Sequence, residues 1–182
     1  MSKNKHPLDQ CHNAWQHTDQ QQKWIKQYRL PLLRVTTFVP RIMANSEVAE
    51  KIYSIAKLQV HDTLSQSNYK VIESDSFEDK DGKGLLMAIS GASSTQLKRA
   101  MIKLENNHPL GPLFNFDVLN RDGKMVSRRS SEMEPRKCII CDHAASYCAA
   151  SHIHSEESLE REVLQLLGRH LVSFSTKETE IA

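Results

Sequence analysis

The chain lacks any hydrophobic run approaching the roughly 18 apolar residues of a membrane span. Its first ten residues, MSKNKHPLDQ, contain nothing like the apolar centre of a secretory signal. Neither export nor a membrane is expected. Cysteine is scarce, four residues in all and in no secretory framework, which favours a reducing cytosol with free thiols or a metal site. A cytoplasmic protein is therefore expected. Surplus charge is missing too: 24 Lys and Arg against 22 Asp and Glu leave a formal +2. Whole-chain charge thus argues for neither nucleic acid nor lipid as a partner. There is no internal repeat, no low-complexity tract and no linker long enough to divide the sequence.

What is present fits one ordinary globular domain over residues 1–182, long enough to bury a core without disulfides. Residues 8–28 are polar but tolerate a helix, with Trp15, Trp24, Ile25 and Tyr28 as its buried points. The β-branched stretch LLRVTTFV (32–39), stopped by Pro40, predicts a strand. Ser46 should cap a helix to about Ser65, with Val48, Ile52, Ile55, Ala56 and Val60 at helical spacing. YKVIES and KGLLMAIS read as two strands joined through the turn signal DKDGKG. Ser93 or Ser94 caps the next helix, which turns Leu97, Met101 and Leu104 inward until NNHPLG stops it. LFNFDVL and KMVSR form a hairpin closed by NRDG. A last helix starts at Ser155 and buries Leu159, Val163, Leu166, Leu167 and Leu171. The order predicts an α+β fold with a ferredoxin-like β-α-β-β-α-β core, an extra hairpin strand and flanking N- and C-terminal helices.

The hairpin carries the most chemistry. Asn115 and Asp117 are two apart on a strand and so share a face, opposite Phe114, Phe116 and Val118. Two oxygen ligands completed by phosphates and water suit Mg²⁺. Arg128 and Arg129 on the return arm are placed to clamp phosphate oxygens. The plainer reading is a solvated strand face and a solvated SRR run, and the residues alone leave both open. From Arg121 to Lys137, six basic residues (Arg121, Lys124, Arg128, Arg129, Arg136, Lys137) stand against three acids. That stretch is an anion site or a solvated surface. Glu105 reads as a solvated helix end, with a third acid at the site as the alternative.

A second cluster, CIICDHAASYCAASHIH, offers Cys138, Cys141 and Cys148, then His152 and His154. These have the ligand types of a structural Cys₃His zinc site. The same positions also repeat by three and four, so one continuous helix could bury the thiols as small hydrophobes. On a single helix Cys138 and His152 would lie about 21 Å apart, so zinc requires a break in the segment. Core packing is the preferred reading and zinc the alternative. His61, His143 and His170 read as ordinary histidines.

Taken in order, LENNHPLG, the aromatic-x-Asp-Val strand, the later SRR and the CIIC…C…His series resemble the citrate lyase holo-acyl-carrier-protein synthases. These are also called apo-citrate lyase phosphoribosyl-dephospho-CoA transferases. The likeness is densest from Leu104 to His154 and extends more thinly through PLLRVTTFVP and NSEVAEKIY. It implies a nucleotidyltransferase-type enzyme that moves phosphoribosyl-dephospho-CoA from triphosphoribosyl-dephospho-CoA to a serine of the citrate lyase acyl-carrier subunit, releasing pyrophosphate. Asp117 and Asn115 would be catalytic and hold Mg²⁺, and Ser127, Arg128 and Arg129 would bind substrate. The chain departs from the family pattern at four places. Asn115 stands where an acid is expected and Pro112 where an arginine is. Arg41 and Ala44 lie in what should be a Pro-Gly-Pro-x-Lys type turn, and a Gln- and His-rich N-terminal segment replaces a basic one. These departures keep open a second reading, a catalytically weakened relative that binds the carrier or a CoA-like nucleotide without turnover.

Overall fold

The computed structural model describes residues 19–79 and 82–179; Trp15 lies outside them. The first described helix, α1 (Asp19–Tyr28), precedes strand β1 (Leu32–Thr37), helix α2 (Glu47–Gln66) and strands β2 (Lys70–Asp79) and β3 (Gly82–Ser90). Helix α3 (Ser94–Asn107) leads to strands β4 (Phe114–Leu119) and β5 (Met125–Val126). Two helices close the chain, α4 (Ala145–Ser151) and α5 (Glu156–Thr179). The protein is α+β, with a five-stranded antiparallel sheet in the order β2-β3-β1-β4-β5.

Local chemistry sets the helix ends. Ser46 Oγ accepts the N–H of Ala49 at 3.2 Å and so begins α2. Ser93 does the same for Gln96, whose side chain returns a bond to the Ser93 N–H, a capping box that starts α3. In the β4–β5 turn, Asn120 Oδ1 accepts the N–H groups of Asp122 and Lys124 while Gly123 takes a positive φ of 76°. Helix α5 begins one residue later than expected, because Ser155 Oγ caps it by accepting the Ser158 N–H. Leu171, expected to be buried there, is exposed.

Strand alternation sorts the sheet into two unlike faces. Leu33 and Val35 of β1, Met87 and Ile89 of β3, and Phe114, Phe116 and Val118 of β4 meet Ile52, Ala56 and Val60 of α2 and Leu97 and Met101 of α3. Val163 and Leu167 of α5 join the same core. The opposite face is only half apolar. There Leu32, Leu86, Ala88 and Leu119 pack under Trp24 of α1, and Tyr28 Oη ties that helix to Glu73 of β2 at 3.1 Å. Beyond this roof the same strands continue with polar side chains.

Candidate functional site

The polar stretch is fixed by the β1–β4 register. Leu32 faces Leu119 beneath α1; next come Arg34 opposite Asp117, and Thr36 opposite Asn115. Asn115 and Asp117 are both part-buried and lie on the face away from the main core. Asn115 Nδ2 donates to Asp117 Oδ2 at 3.1 Å and to Thr36 Oγ1 at 2.9 Å. Arg34, almost fully buried, stacks its guanidinium 4.7 Å from the ring centre of Phe77. Phe77 can lie there because its strand partner is Gly84, where a Cβ would come within 2.1 Å of the ring.

The outer edge of β4 needs separate treatment, since β5 covers only Val118 and Leu119. The N–H and C=O of Phe116 would otherwise lack partners on that side. Helix α3 supplies both: Glu105 Oε1 accepts the Phe116 N–H at 3.0 Å, and Lys98 Nζ donates to its C=O at 2.7 Å. Lys98 and Glu105 sit two turns apart on one stripe of the helix, and both are buried.

Glu105 does more than close the strand edge. Arg136 Nη2 meets its Oε1 at 2.7 Å, and Arg128 Nη2 pairs with its Oε2. Arg128 also donates to the Glu134 carbonyl at 3.2 Å. The expected solvated helix end is thus corrected to a buried carboxylate shared by two guanidinium groups. Gly111 packs against the backbone of the same residue, where a Cβ would fall 1.8 Å from the Glu105 carbonyl oxygen.

The electrostatics follow from this crowding. Burial raises the Asp117 carboxyl above its ordinary range, against the opposing pull of Lys98, Arg136 and Arg34. Burial likewise lowers the Lys98 ammonium, with Asp117 and Glu105 acting the other way. Asp117 thus faces three cations, with Glu105 as a second negative charge nearby. With cations in excess, the array suits a polyanion better than a bare divalent ion. One carboxylate and one amide on a common face fit Mg²⁺ only when phosphates arrive with the ion, and only if the Asn115 amide turns its oxygen toward Asp117.

The return arm differs from the sequence expectation in shape. Strand β5 stops at Val126 and a 3₁₀ turn follows, Arg129–Ser131. Ser127 Oγ accepts the Ser130 N–H at 3.0 Å, just ahead of that turn. Arg128 points to Glu105, while Arg129 is exposed. Arg34 and Lys98 were not singled out from sequence. Their signal was a lone cation inside an apolar strand, and a lysine two turns from Glu105 on an otherwise apolar helix stripe. A cleft of about 370 Å³ opens elsewhere, between the α2 N-terminus and the β2–β3 hairpin. Ala44 and Asn45 line it, as do Glu47, Glu50 and Glu78 against Lys83, so it repels phosphate more than the Asp117 face does.

The cysteine segment is not one helix. Cys138 N–H donates to the His143 carbonyl at 2.8 Å, closing a tight turn, and α4 spans only Ala145–Ser151. His152, at the helix end, adopts a left-handed backbone and is exposed. Core packing is therefore corrected for this segment: Cys148 is buried, but Cys138 and Cys141 are only part-buried. The break brings one ligand atom each of Cys138, Cys141, Cys148 and His154 within 4.8 Å of one another. It is a Cys₃His group able to hold a metal ion. Among the described residues, no helix is long and apolar enough to cross a membrane.

Fold and site together define an α+β protein with a cation-flanked carboxylate on one sheet face and a thiol–imidazole cluster in the segment before the last helix. A family model for apo-citrate lyase phosphoribosyl-dephospho-CoA transferase matches residues 13–170, and the chain belongs to that family. The probable apo-citrate lyase phosphoribosyl-dephospho-CoA transferase of Vibrio cholerae is 29% identical over 140 residues, covering 77% of this chain and 79% of the relative. The Escherichia coli protein of that name is 30% identical over 148 residues, 81% of this chain and 80% of the relative. The Shigella boydii protein of the same name is again 30% identical over 148 residues, 81% and 80% of the two chains.

Proposed function

We propose that this chain transfers phosphoribosyl-dephospho-CoA from triphosphoribosyl-dephospho-CoA to a serine of the citrate lyase acyl-carrier subunit. The observation that carries the reading is the polar file Arg34–Asp117 and Thr36–Asn115, set beside the apolar patch under α1 on the same sheet face, in a member of this family. The reaction is of nucleotidyltransferase type. The serine oxygen bonds to the α-phosphorus, the bond to pyrophosphate breaks, and the serine proton is lost to solvent or to a basic group. Arg34 sits opposite Asp117 and meets the incoming negative charge. Lys98 and Arg136 add to the positive field at the same edge. Arg128 is held by Glu105 as a fixed donor at the site rim, and exposed Arg129, with Ser127 just before the turn, would reach toward phosphate oxygens.

Asp117 and Asn115 would hold Mg²⁺ brought in with the triphosphate, and the ion would stabilise the charge developing on pyrophosphate. Phosphates on the substrate would balance Lys98, Arg136 and Arg34 around Asp117. The strand order β2-β3-β1-β4, with α2 and α3 as its two crossovers, supports a ferredoxin-like reading of the core. The family match does not favour a relative that binds without turnover.

The test is the intact mass of apo-carrier after incubation with the protein, Mg²⁺ and the triphosphoribosyl precursor. A gain equal to one phosphoribosyl-dephospho-CoA, lost in Asp117→Ala, establishes the reaction. No gain beside an active relative overturns it.

A further inference from the structure

We infer that Cys138, Cys141, Cys148 and His154 bind a structural Zn²⁺, and that this ion holds Arg136 onto Glu105. The set has the ligand types of a closed Cys₃His site, three thiolate sulfurs and one imidazole nitrogen. Tetrahedral zinc with sulfur at about 2.3 Å requires sulfurs about 3.8 Å apart and a slightly shorter sulfur–nitrogen distance. Cys141 Sγ lies 3.4 Å from Cys148 Sγ and 3.3 Å from His154 Nε2. The whole set falls within 4.8 Å. Small outward movements of these ligand atoms would admit the ion.

The backbone is shaped for the same purpose. Cys138 and Cys141 flank a turn closed by the Cys138 N–H to His143 carbonyl bond. Within that turn the Ile140 N–H faces Cys138 Sγ at 3.5 Å, a contact that favours thiolate. Cys148 comes from α4, and His154 from the chain just past that helix. Three separate pieces of backbone thus surround one point, which a single helix cannot do. Core packing does not explain the convergence, because two of the three thiols are not fully buried.

The cluster is short of other fastenings. The segment from Arg136 to Ala144 contributes only Ile139 to the packed margin of the core, and it exposes Ile140. Its other ties are polar or local, among them the Lys137–Ala144 bridge, the Ala145 N–H to Arg136 carbonyl bond at 2.8 Å, an exposed Lys137–Asp142 pair and the His143–Tyr147 ring contact. Arg136 is two residues from the first thiol, and its guanidinium meets Glu105 at the edge of β4. Metal binding would release the thiol protons, fix the turn and thereby fix Arg136. This inference is independent of the proposed transfer, because its test reads metal and not turnover.

The full chain is purified with zinc present and no chelator, and its metal content is measured by mass spectrometry. About one zinc per chain is expected, with three thiols shielded from a thiol reagent until a chelator is added. Cobalt(II) exchanged into the wild-type protein should show the strong thiolate charge-transfer and visible bands of a tetrahedral site. This arm needs no variant to fold. His154→Cys should keep the ion, whereas His154→Ala should lose it under a competing chelator that the wild type withstands. Removing zinc should lower the melting temperature of the wild type and of Arg136→Gln, by less in the variant. Protein that stays metal-free in zinc, with freely reactive thiols and an unmoved melting temperature, overturns the inference. So does a Cys141–Cys148 disulfide that forms in the presence of zinc.

Discussion

Glu105→Ala should be among the most damaging single changes outside the apolar core. The carboxylate is 3% exposed and serves three donors: the Phe116 N–H, Arg128 and Arg136. Losing it strands a buried backbone N–H, which costs about 1–3 kcal/mol. It also breaks a buried ion cluster, for which removing one partner costs about 3–5 kcal/mol. The second figure belongs at its lower end, since the Arg128 and Arg136 side chains keep 16% and 25% exposure and can recover some water. The sum is about 4–6 kcal/mol, a large share of the roughly 5–15 kcal/mol that a domain of this kind holds. Glu105→Gln keeps an oxygen for Phe116 and loses only the charge, so it should fall short of the alanine loss by about 1–3 kcal/mol. Equilibrium urea unfolding followed by circular dichroism measures both. A loss under about 1 kcal/mol for Glu105→Ala would refute the idea that α3 completes the β4 edge, and equal losses for the two variants would remove the backbone bond from the account.

Gly111→Ala should destabilise strongly, because its Cβ would meet the Glu105 carbonyl oxygen at 1.8 Å, whereas Gly168→Ala meets nothing within 4 Å and should gain up to about 1 kcal/mol from helix propensity; thermal melts of the pair check both. His108 is lowered to about 4 by burial and then by His170, and its Nδ1 accepts the Leu110 N–H at 3.0 Å. The unfolded chain therefore binds the extra proton between about pH 6.5 and 4, so stability should fall as pH drops through that window. Asp117, raised by burial, works in the opposite direction on acidification, so the His108 share is read as the difference from His108→Asn, which should flatten the fall in urea midpoints. Asn115→Asp sets a second carboxylate beside Asp117 and should lower the melting temperature without Mg²⁺ and raise it with Mg²⁺ plus a polyphosphate; a melting temperature insensitive to both additions would separate Asn115 from any metal role.

Strands and helices were legible where one physical signal dominated. The β-branched run at 32–37, the capped helices after Ser46 and Ser93, and the NRDG turn each appear within a residue or two of expectation. The sharing of one face by Asn115 and Asp117 was legible as well, because period-two alternation permits nothing else. Glu105 was misread for a reason beyond local pattern. Its burial depends on the shortness of β5, a tertiary fact that leaves Phe116 in need of an acceptor. Arg34 escaped notice because only the β1–β4 register puts it opposite Asp117. The cysteines misled differently: spacing by three and four fits a helix, and nothing in the letters announces the turn that Cys138 and His143 close.

These misreadings meet at one place. A full-length β5 would have paired the outer edge of β4, leaving no work there for Lys98 or Glu105. Because it ends at Val126, a lysine and a glutamate from α3 take over as ladder partners, and both charges must then be balanced. Arg128 comes from the chain just after β5, and Arg136 from the chain just before the thiol turn. The positive field over Asp117 is therefore largely a consequence of how the strand edge is finished. It follows that substitutions at the Cys₃His cluster should perturb the Asp117 face without touching it. Changes to the roof at Trp24 of α1, which packs on the apolar end of the same face, should act on stability through a different route. Double-mutant cycles between Arg136 and Cys138, and between Arg136 and Trp24, separate the two: coupling is expected in the first and near additivity in the second.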